Sequence, residues 1–398
     1  MLLREAEALA DRLVAWRRAI HRRPELGLET EETARLVEGV LDELGIPHRR
    51  FAETGVAGYL GRGRPGLALL LRADMDALPI EEDNDLPFKS EIPGRMHACG
   101  HDGHTAIALG AAALLKAHEA ELPQPVVVIF QPGEEGPGGA LPMIQAGVMR
   151  DPAVGAAMMV HADPFLPAGS VGFKPGYSMA NIDDFVLRVL GRGGHGAHPD
   201  TGVDAVVAAA QIVVAAQTLV SRMTNPAEPA VLTFGTIHGG WRENVLADRV
   251  ELTGTIRTFG ESRRKGMEQD LRRLAASVAQ AFGARVELEV THGYPALYCD
   301  ERMTERAREV ATELLGSSRT VTVREPSLGG EDFAYFAQRV PATNCIVGVG
   351  NPDRPATDGL HSAKFLLDER ALPVGAAVMA GVALRGIADI ARPATPDS

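Results

Sequence analysis

The chain has 398 residues, 45% of them hydrophobic and 23% charged, which is long enough for two domains with ordinary buried cores. Its formal net charge of -12 argues against a nucleic-acid partner held by a basic surface. Three widely spaced cysteines, Cys99, Cys299 and Cys345, argue against a disulfide framework and fit a reducing cytoplasm. The first residues run quickly into charge, so no secretory signal is expected, and no later apolar run is long enough to span a bilayer.

Leu2 to Arg22 carries apolar residues at roughly helical spacing and predicts an amphipathic helix. A second helix is expected over Thr30 to Leu44, closed by Gly45 and Pro47. Val56–Leu60 and Gly66–Arg72 read as strands, the latter apolar enough to be buried on both faces, with Asp74-Met75-Asp76 at its end. The run Met96-His97-Ala98-Cys99-Gly100-His101-Asp102-Gly103-His104 concentrates potential metal ligands in nine residues, and two glycines mark it as a loop. A helix is expected to follow it from Thr105 to His118. Pro125–Phe130 and Gly155–Val160 are two further buried strands. Gln131-Pro132-Gly133-Glu134-Glu135 leaves the first, a short helix over Ala140–Ala146 lies between them, and His161 ends the second. Buried strands alternating with helices predict a mostly parallel α/β sheet, in which sites form at the carboxyl ends of strands.

Near Asn181 the texture changes. Asp184–Leu190, Ala230–His238, Arg249–Thr258 and Ala284–His292 read as strands, with helices over Val203–Val220 and Ser262–Phe282. The order β-α-β-β-α-β is the ferredoxin-like split unit. The α/β texture then resumes with a helix over Glu301–Leu315, strands at Thr320–Arg324 and Asn344–Val349, and a helix from Asp368 to Ile390. The expected organisation is a discontinuous catalytic domain, 1–180 and 294–398, interrupted by an inserted ferredoxin-like α+β domain, 181–293.

Cys99, His101, Glu135, His161 and His361 are the candidate metal ligands. Hydrolysis at a metal needs protein ligands, an open position for water and a base. Five ligands exceed what one catalytic zinc takes and fit two divalent ions: zinc by ligand chemistry, or manganese, nickel or cobalt by availability. Glu134 and Glu135 are neighbours, so one carboxylate can bind metal while the other handles a proton; Glu135 is assigned to the metal and Glu134 to the base. From spacing alone, a Glu-Glu pair reads equally well as a solvated turn, and scattered histidines carry no signal. Asp76 is expected to orient a ligand histidine as a neighbouring carboxylate. His104 reads as packed in its helix and His118 as a surface residue.

Several motifs together resemble the metal-dependent aminoacylase/carboxypeptidase superfamily: Arg72-Ala73-Asp74-Met75-Asp76-Ala77-Leu78-Pro79, His97-Ala98-Cys99-Gly100-His101-Asp102-Gly103-His104, Gln131-Pro132-Gly133-Glu134-Glu135, Gly193-Gly194-His195-Gly196-Ala197, Gly254-Thr255-Ile256-Arg257 and Glu331-Asp332-Phe333. Within it, the chain is most similar to the amidohydrolases that include hippurate hydrolase and the plant auxin-conjugate hydrolases, collinearly over nearly its whole length. The resemblance implies two metals on the five ligands named, Glu134 as base, and a lid domain that also dimerises, giving a homodimer or a dimer of dimers. It implies that His195 polarises the scissile carbonyl in a partner subunit's site, and that Asn244 and Arg257 hold a substrate carboxylate. The implied reaction is cleavage of an N-acyl-L-amino acid to a carboxylate and a free amino acid, with a dipeptidase or carboxypeptidase as the alternative. Asp74 stands where the wider superfamily has a ligand histidine. His198-Pro199-Asp200 and Ala162-Asp163-Pro164-Phe165 depart from the usual patterns of the branch, on the side of acyl preference.

Overall fold

A computed structural model describes residues 1–351, 353 and 358–394. The chain divides into two compact units: Met1–Ser178 with Tyr298–Glu325 and Asp332–Ser398, and Met179–Leu297 with Pro326–Glu331.

The larger unit is built on an eight-stranded mixed sheet. Its centre is parallel: Ala68–Asp74 pairs in parallel with Val126–Gln131 on one side and with Val154–Pro167 on the other, and Val154–Pro167 pairs in parallel with Ala342–Gly350. Antiparallel strands Gly55–Leu60 and His48–Phe51 complete one edge. Every residue of Ala68–Asp74 and Val126–Gln131 is buried, which explains their continuous Leu, Val and Ile runs. The registers Asp74↔Gln131, Arg72↔Met159 and Ile346↔His161 bring the polar strand ends to one edge of the sheet.

Helix His101–Ala117 is buried from its first residue through Leu115. It packs against the helices Ala10–Arg22 and Ala371–Arg385. Close approach depends on glycine: a Cβ on Gly110 would stand 2.6 Å from Leu13, and one on Gly375 2.8 Å from Ile107. The helix begins four residues earlier than its alanine-rich run suggests, because Gly100, at φ +88°, turns the chain directly into it. The first amphipathic segment is two helices, Leu2–Ala8 and Ala10–Arg22, meeting at Leu9.

The smaller unit is an antiparallel sheet of four strands, Asn181–Leu190, Val231–Gly239, Arg249–Thr258 and Arg285–His292. The first and third strands lie at its centre, the ferredoxin-like arrangement. Helices Ala205–Ser221 and Glu261–Ala281 cover one face through Ile212, Leu219, Met267 and Leu271. Asp204 caps the first helix by accepting from the Val206 and Val207 amides. No helix among the described residues is long and apolar enough to cross a membrane.

Candidate metal centre

The polar side chains of the cluster are delivered by several elements. Cys99 closes the loop before the central helix, and His101 is that helix's first residue. The two are joined through the left-handed turn at Gly100. Glu134 and Glu135 follow strand Val126–Gln131, and His161 lies within Val154–Pro167. His361 is held by its backbone N–H donating to the Ala98 carbonyl at 2.8 Å, and it adopts φ +64°, which a histidine rarely does.

Among the sets of side chains that converge within 4.8 Å are three that hold the candidate ligands: Cys99, His101 and His161; Cys99, Glu135 and His361; and His101, Glu134 and Glu135. Cys99 belongs to two of them. All five ligand candidates and Glu134 therefore come together in the larger unit. The ring tautomers are set by neighbours. His101 Nδ1 donates to the Asp76 carbonyl at 2.8 Å, and His161 Nδ1 to the Ala162 carbonyl at 2.9 Å, which turns each Nε2 toward the cluster. His161 Nε2 is 3.8 Å from Cys99 Sγ.

The donor set fits a cation. His101 Nε2 and Glu135 Oε1 are buried without a hydrogen-bond partner among the described residues, 3.9 Å apart. His361 Nε2 stands 3.0 Å from the same Glu135 oxygen, but not in hydrogen-bond geometry. Unsatisfied buried polar atoms are costly, so a converging pair of them calls for a ligand. Burial works against charge on His101, but Asp74, Asp76 and Glu135 outweigh it and hold its pKa up at about 10. Burial, with Glu135, Glu134 and Asp74, pushes the Cys99 thiol well above its ordinary value. Both groups thus hold protons that a divalent cation would replace.

Asp76 does more than face a histidine. Its two carboxylate oxygens accept from the backbone N–H groups of Glu134 and Glu135, each at 3.0 Å, while Oδ1 lies 3.4 Å from His101 Nδ1. One carboxylate therefore fixes the turn that presents both glutamates.

The sequence reading passed over a buried network behind the cluster. Arg72 is fully buried and binds Asp74 at 2.5 Å, Asp332 at 2.9 Å and the Gln131 side chain at 3.1 Å. Asp332 also accepts from the Gly139 and Ala140 amides at 2.9 Å, which closes the loop carrying Glu134. Asp74 accepts from His104 Nδ1 at 2.7 Å. The signal was present: an arginine inside a fully buried strand needs partners, and His101 and His104, three apart, share one helix face. His97 is also buried, and neither ring nitrogen has a partner among the described residues; burial pushes its pKa down to about 3. His118 is half-buried, bridging Glu5 and Glu121.

His195, Asn244 and Arg257 belong to the smaller unit. His195 pairs with Val245 across a two-stranded ribbon, and Gly196 donates to the Asn244 carbonyl at 2.8 Å, so His195 and Asn244 share one loop cluster. His195 Nδ1 accepts from the Ala197 N–H at 3.0 Å, which leaves Nε2–H as the outward donor of the neutral ring. Arg257 is half-buried near the end of its strand, and burial lowers its pKa.

Comparison with known proteins gives this geometry its setting. IAA-amino acid hydrolase ILR1-like 4 of Arabidopsis thaliana is 38% identical over 386 residues, 96% of this chain and 87% of that one. Thermostable carboxypeptidase 1 of Saccharolobus solfataricus is 36% identical over 389 residues, 96% of this chain and 98% of that one. Among solved structures, a Bacillus subtilis protein described as a dinuclear metal binding peptidase from the M20 family superposes with a TM-score of 0.84 at 34% identity, covering 95% of this chain and 98% of that one. Residues 70–385 match the family described as Peptidase family M20/M25/M40, and the chain belongs to that family of hydrolases.

Proposed function

We propose that this hydrolase cleaves the amide bond of N-acyl-L-amino acids, with two divalent metal ions held by Cys99, His101, Glu135, His161 and His361. The observation that carries the reading is the glutamate pair. A single carboxylate, Asp76, pins both backbones, so that Glu134 and Glu135 both face His101 Nε2, at 4.0 and 3.9 Å, and Glu135 also groups with Cys99 and His361. Ions bound there would supply Lewis acidity toward the scissile carbonyl and toward water.

Glu134 takes a proton from the attacking water and returns it to the leaving nitrogen, so that water and amide become a carboxylic acid and an amine. The 181–293 insertion serves as lid and dimerisation domain, and the partner subunit's His195 donates from Nε2 to the developing oxyanion. Arg257 and Asn244 hold the carboxylate of the amino-acid half, the arginine through a two-pronged pair. The working protein on this reading is a cytoplasmic homodimer or dimer of dimers. The relative named as an IAA-amino acid hydrolase favours an acyl substrate. The carboxypeptidase relative keeps peptides as the second reading.

The test is metal analysis beside hydrolysis of acetyl-, benzoyl- and indoleacetyl-amino acids and free dipeptides. About two metals per chain, with chelator-sensitive release of amino acid from one acyl class, is the expected result. Release only from dipeptides would install the peptidase reading, and absence of metal after reconstitution would overturn the mechanism. Glu134→Ala should abolish turnover and retain metal; loss of metal would move Glu134 into the ligand set.

A further inference from the structure

The imidazole of His104 lies between the two histidines that the proposed function assigns to metal. Its ring centroid is 5.3 Å from that of His101 and 5.1 Å from that of His161. It is fully buried, and each of its nitrogens is engaged. Nε2 receives the backbone N–H of Ala162 at 2.8 Å, and an amide N–H can only donate, so Nε2 carries the lone pair. Nδ1 therefore bears the hydrogen and donates it to Asp74 Oδ1 at 2.7 Å. The other Asp74 oxygen is taken by Arg72, whose guanidinium also reaches Asp332. This occupancy rules against a third ion on Asp74, His101 and His104, although those three groups lie close enough to suggest one. Each of their atoms that might bind it, except His101 Nε2, is already committed within the protein.

The amide that His104 accepts from follows His161 directly in the chain. The carbonyl of the same residue, Ala162, accepts from His161 Nδ1 at 2.9 Å. His104 thus holds the one residue whose backbone sets both the strand position and the ring tautomer of His161. On its other side, Asp74 ties it to the strand that ends beside Asp76, whose carbonyl sets the tautomer of His101. We propose that His104 is a positioning residue for the metal centre: a buried imidazole, never itself a ligand, that locks the His161 strand end to the Asp74–Arg72–Asp332 anchor and fixes the separation of the His101 and His161 donor atoms.

The inference rests on the metal-site reading, and its test separates the two. Metal-free wild type, His104→Gln, His161→Ala and the double variant are titrated with Co(II), following the visible absorption of the bound ion. His104→Gln keeps an acceptor for Ala162 but loses the ring that spans to Asp74. Its Co(II) affinity should fall roughly 10- to 100-fold, with a changed visible band. The double variant should bind no more weakly than His161→Ala alone, because His104 acts through His161. Wild-type affinity and band in His104→Gln, or additive losses in the double variant, would overturn the inference. A merely structural role would lower the melting temperature of the metal-free protein without that coupling. Should His104→Gln fail to fold, imidazole nitrogen NMR of wild type decides: Nδ1 of His104 stays protonated and Nε2 stays uncoordinated before and after Zn(II) is added. Coordination at either nitrogen would sink the proposal. Failure of wild type to bind metal would refute the proposed function instead, while the NMR tautomer would still report on His104.

Discussion

Replacing Asp76 by Asn tests whether one carboxylate organises the glutamate turn. The substitution preserves volume and removes one acceptor. In the wild type, two backbone N–H groups reach the two carboxylate oxygens at 3.0 Å, in a site where Asp76 is 1% exposed. Hydrogen bonds to a charged group contribute about 1.5–3 kcal/mol each. A carboxamide keeps one of them and turns its NH2 toward the other backbone N–H, leaving two donors face to face at a further cost of about 1–3 kcal/mol. The sum centres near 4 kcal/mol, and for a unit of this size that corresponds to a fall in melting temperature of about 7 °C. The assay is thermal unfolding of metal-free protein by circular dichroism, with Asp76→Ala alongside. Alanine leaves both amides unpaired but imposes no donor–donor conflict. Both variants should also lose turnover, because Glu134 and Glu135 lose their common anchor. An Asn variant with wild-type melting temperature and activity would refute the claim that Asp76 holds this turn.

At His361, the positive φ of +64° makes glycine a better fit than alanine by about 1 kcal/mol. The metal-free His361→Gly variant should therefore melt above His361→Ala, and the reverse order would remove strain from the account of this loop. Metal binding near pH 8 should release about two protons, one from His101, held up at about 10, and one from the Cys99 thiol. Calorimetric titration in buffers of different ionisation heat reads this number, and no release would mean that these groups do not ligate. His21 is buried against Asp102 at 2.7 Å and Glu82 at 3.2 Å. Burial opposes its charge, but those carboxylates raise its pKa above the ordinary 6.5. Its contribution to stability is thus complete below about pH 6.5 and lost as pH rises through the folded-state value. The stability gap between metal-free wild type and His21→Gln, from urea unfolding, should narrow above that pH; a gap independent of pH would contradict the assignment.

Burial announces itself in a sequence through composition, and that is why the sheet could be read directly. Leu67-Ala68-Leu69-Leu70-Leu71 and Val126-Val127-Val128-Ile129 have no other plausible use, and the strands they predict are the buried parallel centre of the sheet. The β-α-β-β-α-β order of the smaller unit followed in the same way from alternation and helix periodicity. The short edge strand His48–Phe51 was missed, because a half-exposed His-Arg-Arg-Phe carries no apolar pattern. At the site, spacing alone left the Glu134–Glu135 pair equal to a solvated turn. The family resemblance broke that tie, and folding then gathered Cys99, His101, Glu135, His161 and His361.

What sequence could not show is which groups hold the others. Asp74, His104, Arg72 and Asp332 span positions 72 to 332, and no local pattern links residues so far apart. Their roles depend on hydrogen-bond direction, which is fixed only once partners are known. His104 was read as a packed helix residue because its sequence neighbours are apolar. It is packed, yet both its nitrogens are used, and a fully buried imidazole could not be left otherwise without cost. A candidate ligand can be recognised from chemistry and spacing. The residue that aims it is recognised from the obligation of every buried donor and acceptor to be met, and that obligation becomes countable only in three dimensions.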